Sequence, residues 1–231
     1  LALHVDDGMV SGTAEFLREI KQLLQKRWEI QNFQLNDFKF CGLWIRKVGT
    51  CIYVDQEKYA EMVSEIPLTR QRAAQTDDKM TAQEIKAVQS VAGAGNWVAT
   101  QTRPDLSFDV SELVGLVSHD GTVACIKKAN KLVKRLKAAK SAKLVFRPLR
   151  DTSLKDLRLR AYSDASWANC PGLKSQSGQV FALVGSRDGE HTTQGNLVHW
   201  RSQRIQRVCR STFAAETLSA TDTVDQAIFL S

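Results

Sequence analysis

A change of hydrophobic period near residue 150 constrains this chain more than any other feature. Upstream of it, apolar residues recur every three or four positions: Ile85, Val88, Val91, Ala92 and Val98, then Val110, Leu113, Val114 and Val117, then Ile126, Ala129, Val133 and Leu136. That spacing lines one face of an α-helix. Downstream the pattern alternates, in Leu157-Arg158-Leu159-Arg160-Ala161-Tyr162, in Gln179 to Val184 and in Leu197 to Trp200, which is the period of a half-buried strand. A glycine-and-serine turn from Gly172 to Gly178 and a polar loop from Gly185 to Gly195 separate these strands. A last helical stretch, Ser211 to Leu230, has Phe213, Leu218, Ala220, Val224, Ile228 and Phe229 available for burial. Helices followed by three strands and a helix make an α+β chain, with a boundary between Pro148 and Leu154.

The helical part carries its own punctuation. Thr81 and Glu84 have the spacing of a capping box, and Thr102-Arg103-Pro104-Asp105 ends one helix and starts the next, because proline suits a first turn and not an interior. Gly93 and Gly95 predict a close helix contact; a phosphate loop is excluded by the missing Gly-x-x-x-x-Gly-Lys pattern. Gln56 to Ile66 reads as a helix stopped by Pro67, and residues 67–79 as an exposed connection in which Asp77 and Asp78 are solvated. Nearer the start, Phe16, Leu17, Ile20, Leu23, Leu24 and Trp28 predict an amphipathic helix with its apolar face in the core. Phe38 to Arg46 and Cys51 to Val54 predict a hairpin about Gly49, and His4-Val5-Asp6-Asp7-Gly8 a tight hairpin with both acids at its tip. That last motif suits a metal, and it equally reads as a plain Asp-Gly turn.

Composition then limits the class. With 231 residues, 43% hydrophobic and 25% charged, the chain is globular and forms one large or two modest domains. No apolar run reaches the roughly 18 residues of a membrane span. Five scattered cysteines without a Cys-x-x-Cys pair argue against zinc and disulfides and for a reducing, intracellular setting, cytoplasmic or nuclear and not secreted. The chain opens on Leu1 in an apolar stretch without a basic leader, and reads as cut from something longer. A net charge of +7 favours a polyanionic partner. The charge concentrates in Gly121 to Arg150, which holds ten Lys and Arg and no acid. Lys127, Lys128, Lys131, Lys134 and Arg135 fall opposite the apolar face of that helix, as a phosphate-tracking surface requires, or simply as a solvated face. Trp44, Trp97, Trp167 and Trp200 read as core.

Taken in order, these pieces resemble the polymerase polyprotein of copia-type LTR retrotransposons, over the end of its reverse transcriptase and the start of its ribonuclease H domain. His4-Val5-Asp6-Asp7 is similar to the family's Tyr-Val-Asp-Asp box, Phe40-Cys41-Gly42-Leu43-Trp44-Ile45 to its Phe-Leu-Gly-Ile segment, and Asp55-Gln56-Glu57-Lys58-Tyr59 to its Ser-Gln-x-Lys-Tyr. Thr102-Arg103-Pro104-Asp105 matches its most recognisable tetrapeptide, and Lys128 to Lys137 is similar to its basic helix. Further on, Tyr162-Ser163-Asp164-Ala165-Ser166-Trp167-Ala168 resembles Tyr-Ser-Asp-Ala-Asp-Trp-Ala, Lys174-Ser175-Gln176-Ser177-Gly178 resembles Arg-Lys-Ser-Thr-Ser-Gly, and Ser211-Thr212-Phe213-Ala214-Ala215-Glu216 resembles Ser-Ser-Thr-Glu-Ala-Glu. Each match is weak alone, and their fixed order along the chain is what carries the resemblance.

The resemblance implies three parts: the end of a reverse-transcriptase palm over 1–55, a largely helical thumb or connection region over 56–150, and an incomplete ribonuclease H-like module of three antiparallel strands and a helix over 151–231. It implies copying of RNA into DNA and removal of RNA from RNA:DNA hybrids, with Asp6 and Asp7 as metal ligands at one site and Asp164 and Glu216 at the other. The implied ion is Mg2+, used in pairs, because clustered carboxylates are the hard oxygen ligands it prefers. The implied partners are a hybrid or primer-template duplex, tracked by the basic helix and by Arg201, Arg204, Arg207 and Arg210, and the rest of the parent polyprotein. Departures limit this. The family's other polymerase Asp lies before the paired box, and its further ribonuclease H Asp lies on a later strand. Asp222 and Asp225 do not replace it, since offsets of six and nine from Glu216 turn them about 240° and 180° around the helix. His4 lacks the phenol of the family's Tyr, and Ala214 stands where the family often has its first Glu. Both sites are therefore expected to be incomplete and the chain alone inactive; the alternative is a nucleic-acid-binding relic without turnover.

Overall fold

The computed structural model describes residues 1–231 apart from 6, 29, 31, 150–152, 171 and 186–194, and apart from the side chains of 118–120 and 154. The fold mixes helices with antiparallel sheets. The expected tip carboxylate Asp6 and most of the loop from Gly185 to Gly195 lie outside the described residues.

The chain opens with a hairpin of β1 (Ala2–His4) and β2 (Asp7–Met9), in which His4 pairs with Asp7. Helix α1 (Ala14–Arg27) follows, started by the Thr13 hydroxyl, which accepts from the Phe16 amide. The core role expected of α1 is not met. None of its residues is buried, and Phe16, Leu23 and the following Trp28 are exposed.

Strand β3 (Asp37–Phe40) leads into the hairpin expected about Gly49, which forms between β4 (Leu43–Val48) and β5 (Cys51–Asp55), and the three strands make a meander. Cys41 and Gly42 both have positive φ, 48° and 79°. A two-residue turn of that kind reverses the chain where the alternation alone reads as one strand. The sheet gains a fourth strand from far along the chain, β6 (Leu144–Phe146), with Ile52 opposite Phe146.

The helix expected over Gln56 to Ile66 stops early. Helix α2 spans Glu57–Met62, and beyond it Ile66 finds both backbone partners in one side chain: its amide donates to Asn130 Oδ1 and its carbonyl accepts from Asn130 Nδ2. A short helix, α3 (Arg70–Ala74), lies within the stretch read as an exposed connection, and none of its residues is buried. Its Arg72 forks onto both Glu84 carboxylate oxygens and pairs with Asp78, so Asp78 belongs to a network rather than standing free.

The core lies among α4 (Ala82–Gln101), α5 (Ser107–Asp120) and α6 (Val123–Ala138). In α4 the Thr81 and Glu84 capping box is formed on both sides. Helix α6 buries Val123, Cys125, Ile126, Ala129, Leu132, Val133 and Leu136, and each of the larger side chains contributes about 2 kcal/mol by leaving water. Gly95 is the close contact the sequence predicts: a Cβ there would stand 2.8 Å from Leu132 Cδ2 and 3.2 Å from Val110 Cγ2. Gly93 has open space instead.

Strands β7 (Arg158–Cys170), β8 (Lys174–Val184) and β9 (Gly195–Arg204) then form an antiparallel sheet in sequence order, followed by α7 (Thr212–Leu230). The glycine-and-serine segment is mostly strand, with the turn earlier, where Gly172 and Leu173 take φ values of 72° and 55°. Helix α7 also turns differently from expectation. It buries the small residues Ala215, Ser219 and Thr223, which allow close approach to the sheet, and leaves Phe213, Val224, Ile228 and Phe229 exposed.

The sheet and the helical core are tied at several points. Trp200 Nε1 donates to the Ala99 carbonyl at 2.7 Å, and Gln176 Nε2 donates to Ser111 Oγ on α5 and Ser202 Oγ on β9. Trp167 Nε1 donates to the Cys209 carbonyl. None of the four tryptophans expected in the core is fully buried; Trp44, Trp167 and Trp200 are held by their indole N–H groups, Trp44 also lying under the Lys58 ammonium, and Trp97 lies beside Gly42.

Candidate functional site

The site with the most structure around it is the crossing of β7 and α7. Asp164 lies in mid-strand and is exposed; Glu216 lies in the second turn of α7 and is half-buried. What joins their elements is a small-residue contact. Ala165 packs with Ala215 and Ile205 in a satellite core. Beside it, the Ser219 hydroxyl lies 2.7 Å from Ser177 Oγ and donates to the Asp164 carbonyl at 3.1 Å, across 55 residues of sequence. A larger residue at Ala215 or Ser219 would lift the helix from the strand. The crossing thereby puts Asp164 beside Ala165, which packs against α7, and Glu216 beside Ala215, which packs against the strand, with the Asp164 side chain on the strand face opposite Ala165.

Pleating fixes where Asp164 points. Directly opposite residues share a face, so Asp164 stands in one row with Gly178 and Ser202, while Ala165 and Ser177 stand in the row beneath α7. Gly178 leaves that row open beside the carboxylate. The nearest atom to a Cβ built at Gly178 is the Asp164 carbonyl oxygen, at 3.9 Å. Asp164 and Glu216 supply hard oxygen donors of the kind Mg2+ takes. Among the described residues no group of three or more His, Cys, Asp or Glu gathers to hold a metal.

At the other end of the chain, Asp7 occupies the first position of β2 at the hairpin tip. Val5, next to the turn, is 95% exposed and has φ of 52°. A β-branched residue there is strained by about 1–3 kcal/mol, and such strain concentrates at functional turns.

The expected nucleic-acid surface divides into paired and open cations. On α6, Lys128 pairs with Glu112 and Arg135 with Asp109, both from α5; Lys134 lies 3.6 Å from Glu65, and Lys127 donates to Thr76 Oγ1. Lys140 beyond the helix pairs with Glu61. The counter-charges absent from the local sequence come from α2, α5 and the segment after α2. Lys131 and Lys137 are exposed and have no ion-pair partner among the described residues. Of the four arginines, Arg201, Arg207 and Arg210 are exposed. Arg204 turns inward, because its odd offset from Arg201 in a strand reverses the face. Its guanidinium lies over Gly115 on α5, where a Cβ would be 2.3 Å from Cζ, and its Nε and Nη2 are buried without a partner. Cys170 shares that pocket, and burial pushes its thiol up from the usual range.

Sequence reasoning did not find an open cavity of about 260 Å³ at the seam between the four-stranded sheet and β9, lined by Ile45, Val54, Phe146, Leu197 and Trp200 among others. Its walls come from four separate parts of the chain, so no local signal marks it. All five cysteines are free. Among the described residues no helix is long and apolar enough to cross a membrane. The chain matches no protein-family model, and no solved structure gives a significant match to it.

Proposed function

We propose that the chain is a portion of a copia-type reverse transcriptase joined to the first part of a ribonuclease H-like module, and that it acts on RNA:DNA hybrids as part of the parent polyprotein. The observation that carries this reading is the β7–α7 crossing. The two carboxylates singled out by the motif resemblance, far apart in sequence, lie on the two elements that Ala165, Ala215 and Ser219 bring together. In the proposed reaction a bound Mg2+ supplies Lewis-acid stabilisation of the cleaved phosphodiester and a more acidic water. The resemblance, rather than the register of β7, assigns Asp164 and Glu216 to hold it. Ser177 and Ser219 fix the spacing between strand and helix, and the exposed Arg201, Arg207 and Arg210 take the phosphate backbone of the duplex. Asp6 and Asp7 would be the corresponding ligands of the polymerase site at the N-terminal hairpin.

The test is Mg2+-dependent cleavage of a labelled RNA:DNA hybrid by the chain within its polyprotein. Activity is expected to disappear in Asp164→Asn and in Glu216→Gln without loss of fold. Absence of any cleavage by the unmutated polyprotein overturns the enzymatic reading of the C-terminal module. One observation favours the second reading, a binding relic without turnover: no third carboxylate joins the pair among the described residues. That reading expects hybrid binding which is unaffected by Asp164→Asn and by removing Mg2+.

A further inference from the structure

Strand β7 ends its sheet. Strand β8 pairs with one of its edges and, among the described residues, no strand pairs with the other. That open edge presents a row of backbone N–H and C=O groups, a template for a further strand. Ala161, Tyr162, Ser163 and Asp164 at its middle are all exposed, Tyr162 to 57%. The stretch in unbroken register with β8 runs from Arg158 to Ser166, and its midpoint is Tyr162.

The charges on this edge are complementary to themselves. Arg158, Arg160 and Asp164 share the face turned from α7 with Tyr162 and Ser166, and the other face of the stretch, Leu159, Ala161, Ser163 and Ala165, carries no charge. None of the three charged residues has an ion-pair partner among the described residues. Laid antiparallel on a second copy about Tyr162, the strand sets Arg160 of each copy opposite Asp164 of the other, and Tyr162 opposite Tyr162. Arg158 then falls opposite Ser166, and Asp156 and Lys155 before the strand fall opposite Ala168 and Asn169, so no like charges meet. Opposite charges and aromatic pairs directly across a ladder both stabilise it. An axis at Ala161 would give Asp164 to Arg158 and an axis at Ser163 would set it against Tyr162, and either shortens the ladder by two residues.

Helix α7 leaves room for the copy. The Ser219 hydroxyl reaches both Ser177 on β8 and the Asp164 carbonyl on β7, so at that point α7 lies over the groove between the two strands. The α7 of the copy then lies about two strand spacings away, roughly 10 Å, the distance at which helices pack. Leu218 packs into the satellite core with Ile205, which follows β9. Asp222 and Asp225, at i+4 and i+7 from it, share that flank and face away from the axis, whereas Glu216, Ala220 and the exposed Val224 take the flank toward the copy. The two Glu216 stand on opposite sides of the axis, about 20 Å apart along the strands at 3.3 Å per residue. We propose that two copies of this chain join edge to edge through β7, antiparallel about Tyr162, in one continuous six-stranded sheet. Such a contact joins like patches and closes as a two-fold dimer. It rests on the edge itself and not on the reaction proposed above.

Reciprocal charge variants test this, with circular dichroism as the check on folding. Sedimentation of the unmutated chain at up to about 100 µM, a range suited to a transient interface, and at about 50 mM salt, where surface pairs are little screened, is expected to show mass rising to a dimer and no further. Arg160→Glu alone sets acid against acid at both ends of the axis, and Asp164→Arg alone sets base against base, so each is expected to weaken association at least tenfold. An equimolar mixture of the two is expected to dimerise as the unmutated chain does, because every charge then meets its opposite. Arg158→Glu, opposite Ser166, is expected to leave association within about twofold of the unmutated chain, as a change outside the paired charges should. A monomeric unmutated chain, as expected if the arginines only keep the edge apart, overturns the proposal. So do assembly beyond a dimer, a single variant that associates as well as the unmutated chain, a mixture that stays monomeric, and an Arg158→Glu as disruptive as Arg160→Glu.

Discussion

Arg103 Nη1 donates to the Ala139 carbonyl at 2.8 Å, so the loop that ends α4 holds the last turn of α6, 36 residues further on. The same nitrogen reaches the Leu136 carbonyl, while Nε and Nη2 fork onto Asp105, each at 2.8 Å. Arg103 is only 4% exposed. It caps carbonyls that a helix C-terminus leaves without partners, and its charge complements the negative end of the helix dipole. The Thr-Arg-Pro-Asp tetrapeptide is thus an architectural device: Pro104 starts a turn, Asp105 aims the arginine, and Thr102 donates to Gln56 Oε1.

Replacing Arg103 with Ala removes its bonds to the Leu136 and Ala139 carbonyls, of which Ala139 keeps the Ala142 amide, and leaves Asp105 without its fork. Arg103 is buried but the Asp105 side chain is 50% exposed, so the loss is that of buried charge-assisted hydrogen bonds, about 1–3 kcal/mol, and urea denaturation should show a loss in that range. Arg103→Lys keeps the charge but not the planar fork, and is expected to recover less than half of it. An unchanged midpoint in Arg103→Ala would mean that α6 does not depend on this cap.

Acid sensitivity should trace to Glu84. Arg72 beside it and the Thr81 amide hold its carboxyl down from 4.5 to about 2. A depressed carboxylate stabilises the fold fully above its unfolded value, and that stabilisation is lost as pH falls from about 4.5 through about 2. The pair is near the surface, so the contribution is about 1 kcal/mol. In Glu84→Gln, stability measured between pH 6 and pH 3 should fall less steeply than in the unmutated chain, from a lower starting value at pH 6.

Local rules account for what the sequence revealed. The Thr81 capping box, the helix-to-strand change of period and the Asp-rich hairpin all lie within a few residues of one another in the chain. What stayed hidden depends on partners far away. The acids that pair with α6 are Glu65, Asp109 and Glu112, outside that helix, so a charge run that looks unopposed is in part paired. The fourth strand of the first sheet is supplied by residues 144–146, which no nearby pattern links to Ile52. Helix α7 was misjudged for a different reason. Burial there follows closeness to the sheet, and Ala215 and Ser219 satisfy it better than Phe213 or Ile228. For the candidate site, sequence named Asp164 and Glu216 but not Ala165, Ser177 and Ser219, which bring their elements together.

The paired glycines of α4 should separate packing from propensity. Gly93 has nothing within 4 Å of a built Cβ, so Gly93→Ala is expected to stabilise by up to about 1 kcal/mol through helix propensity alone. At Gly95 the same methyl meets Leu132 and Val110 in the core. Overpacking there costs about 1–3 kcal/mol and should outweigh the gain, giving a net loss in thermal melts. A stabilising Gly95→Ala would show that Leu132 yields at little cost.

The arginines around β9 should sort by direction rather than by charge. Arg207 and Arg210 are exposed and beside the N-terminus of α7, whereas Arg204 is turned under α5 with Nε and Nη2 buried and unpartnered. If the exposed pair contacts phosphates, Arg207→Ala with Arg210→Ala lowers affinity for an RNA:DNA hybrid and reduces the slope of log K against log salt by about 1 for each contact removed. Arg204→Met should leave affinity and slope unchanged. It should also leave the fold as stable as before or more so, because a buried cation without full pairing is replaced by an apolar side chain of similar length. On α6, Lys131→Ala is expected to lower the slope, since no ion pair competes for that lysine. Lys128→Ala is expected to act mainly on stability through loss of its Glu112 partner. Fluorescence anisotropy across 50–300 mM salt, about the range over which such contacts are screened, reads all four variants together. Equal effects of Arg204→Met and the exposed double variant would mean that Arg204 leaves its pocket when the duplex binds.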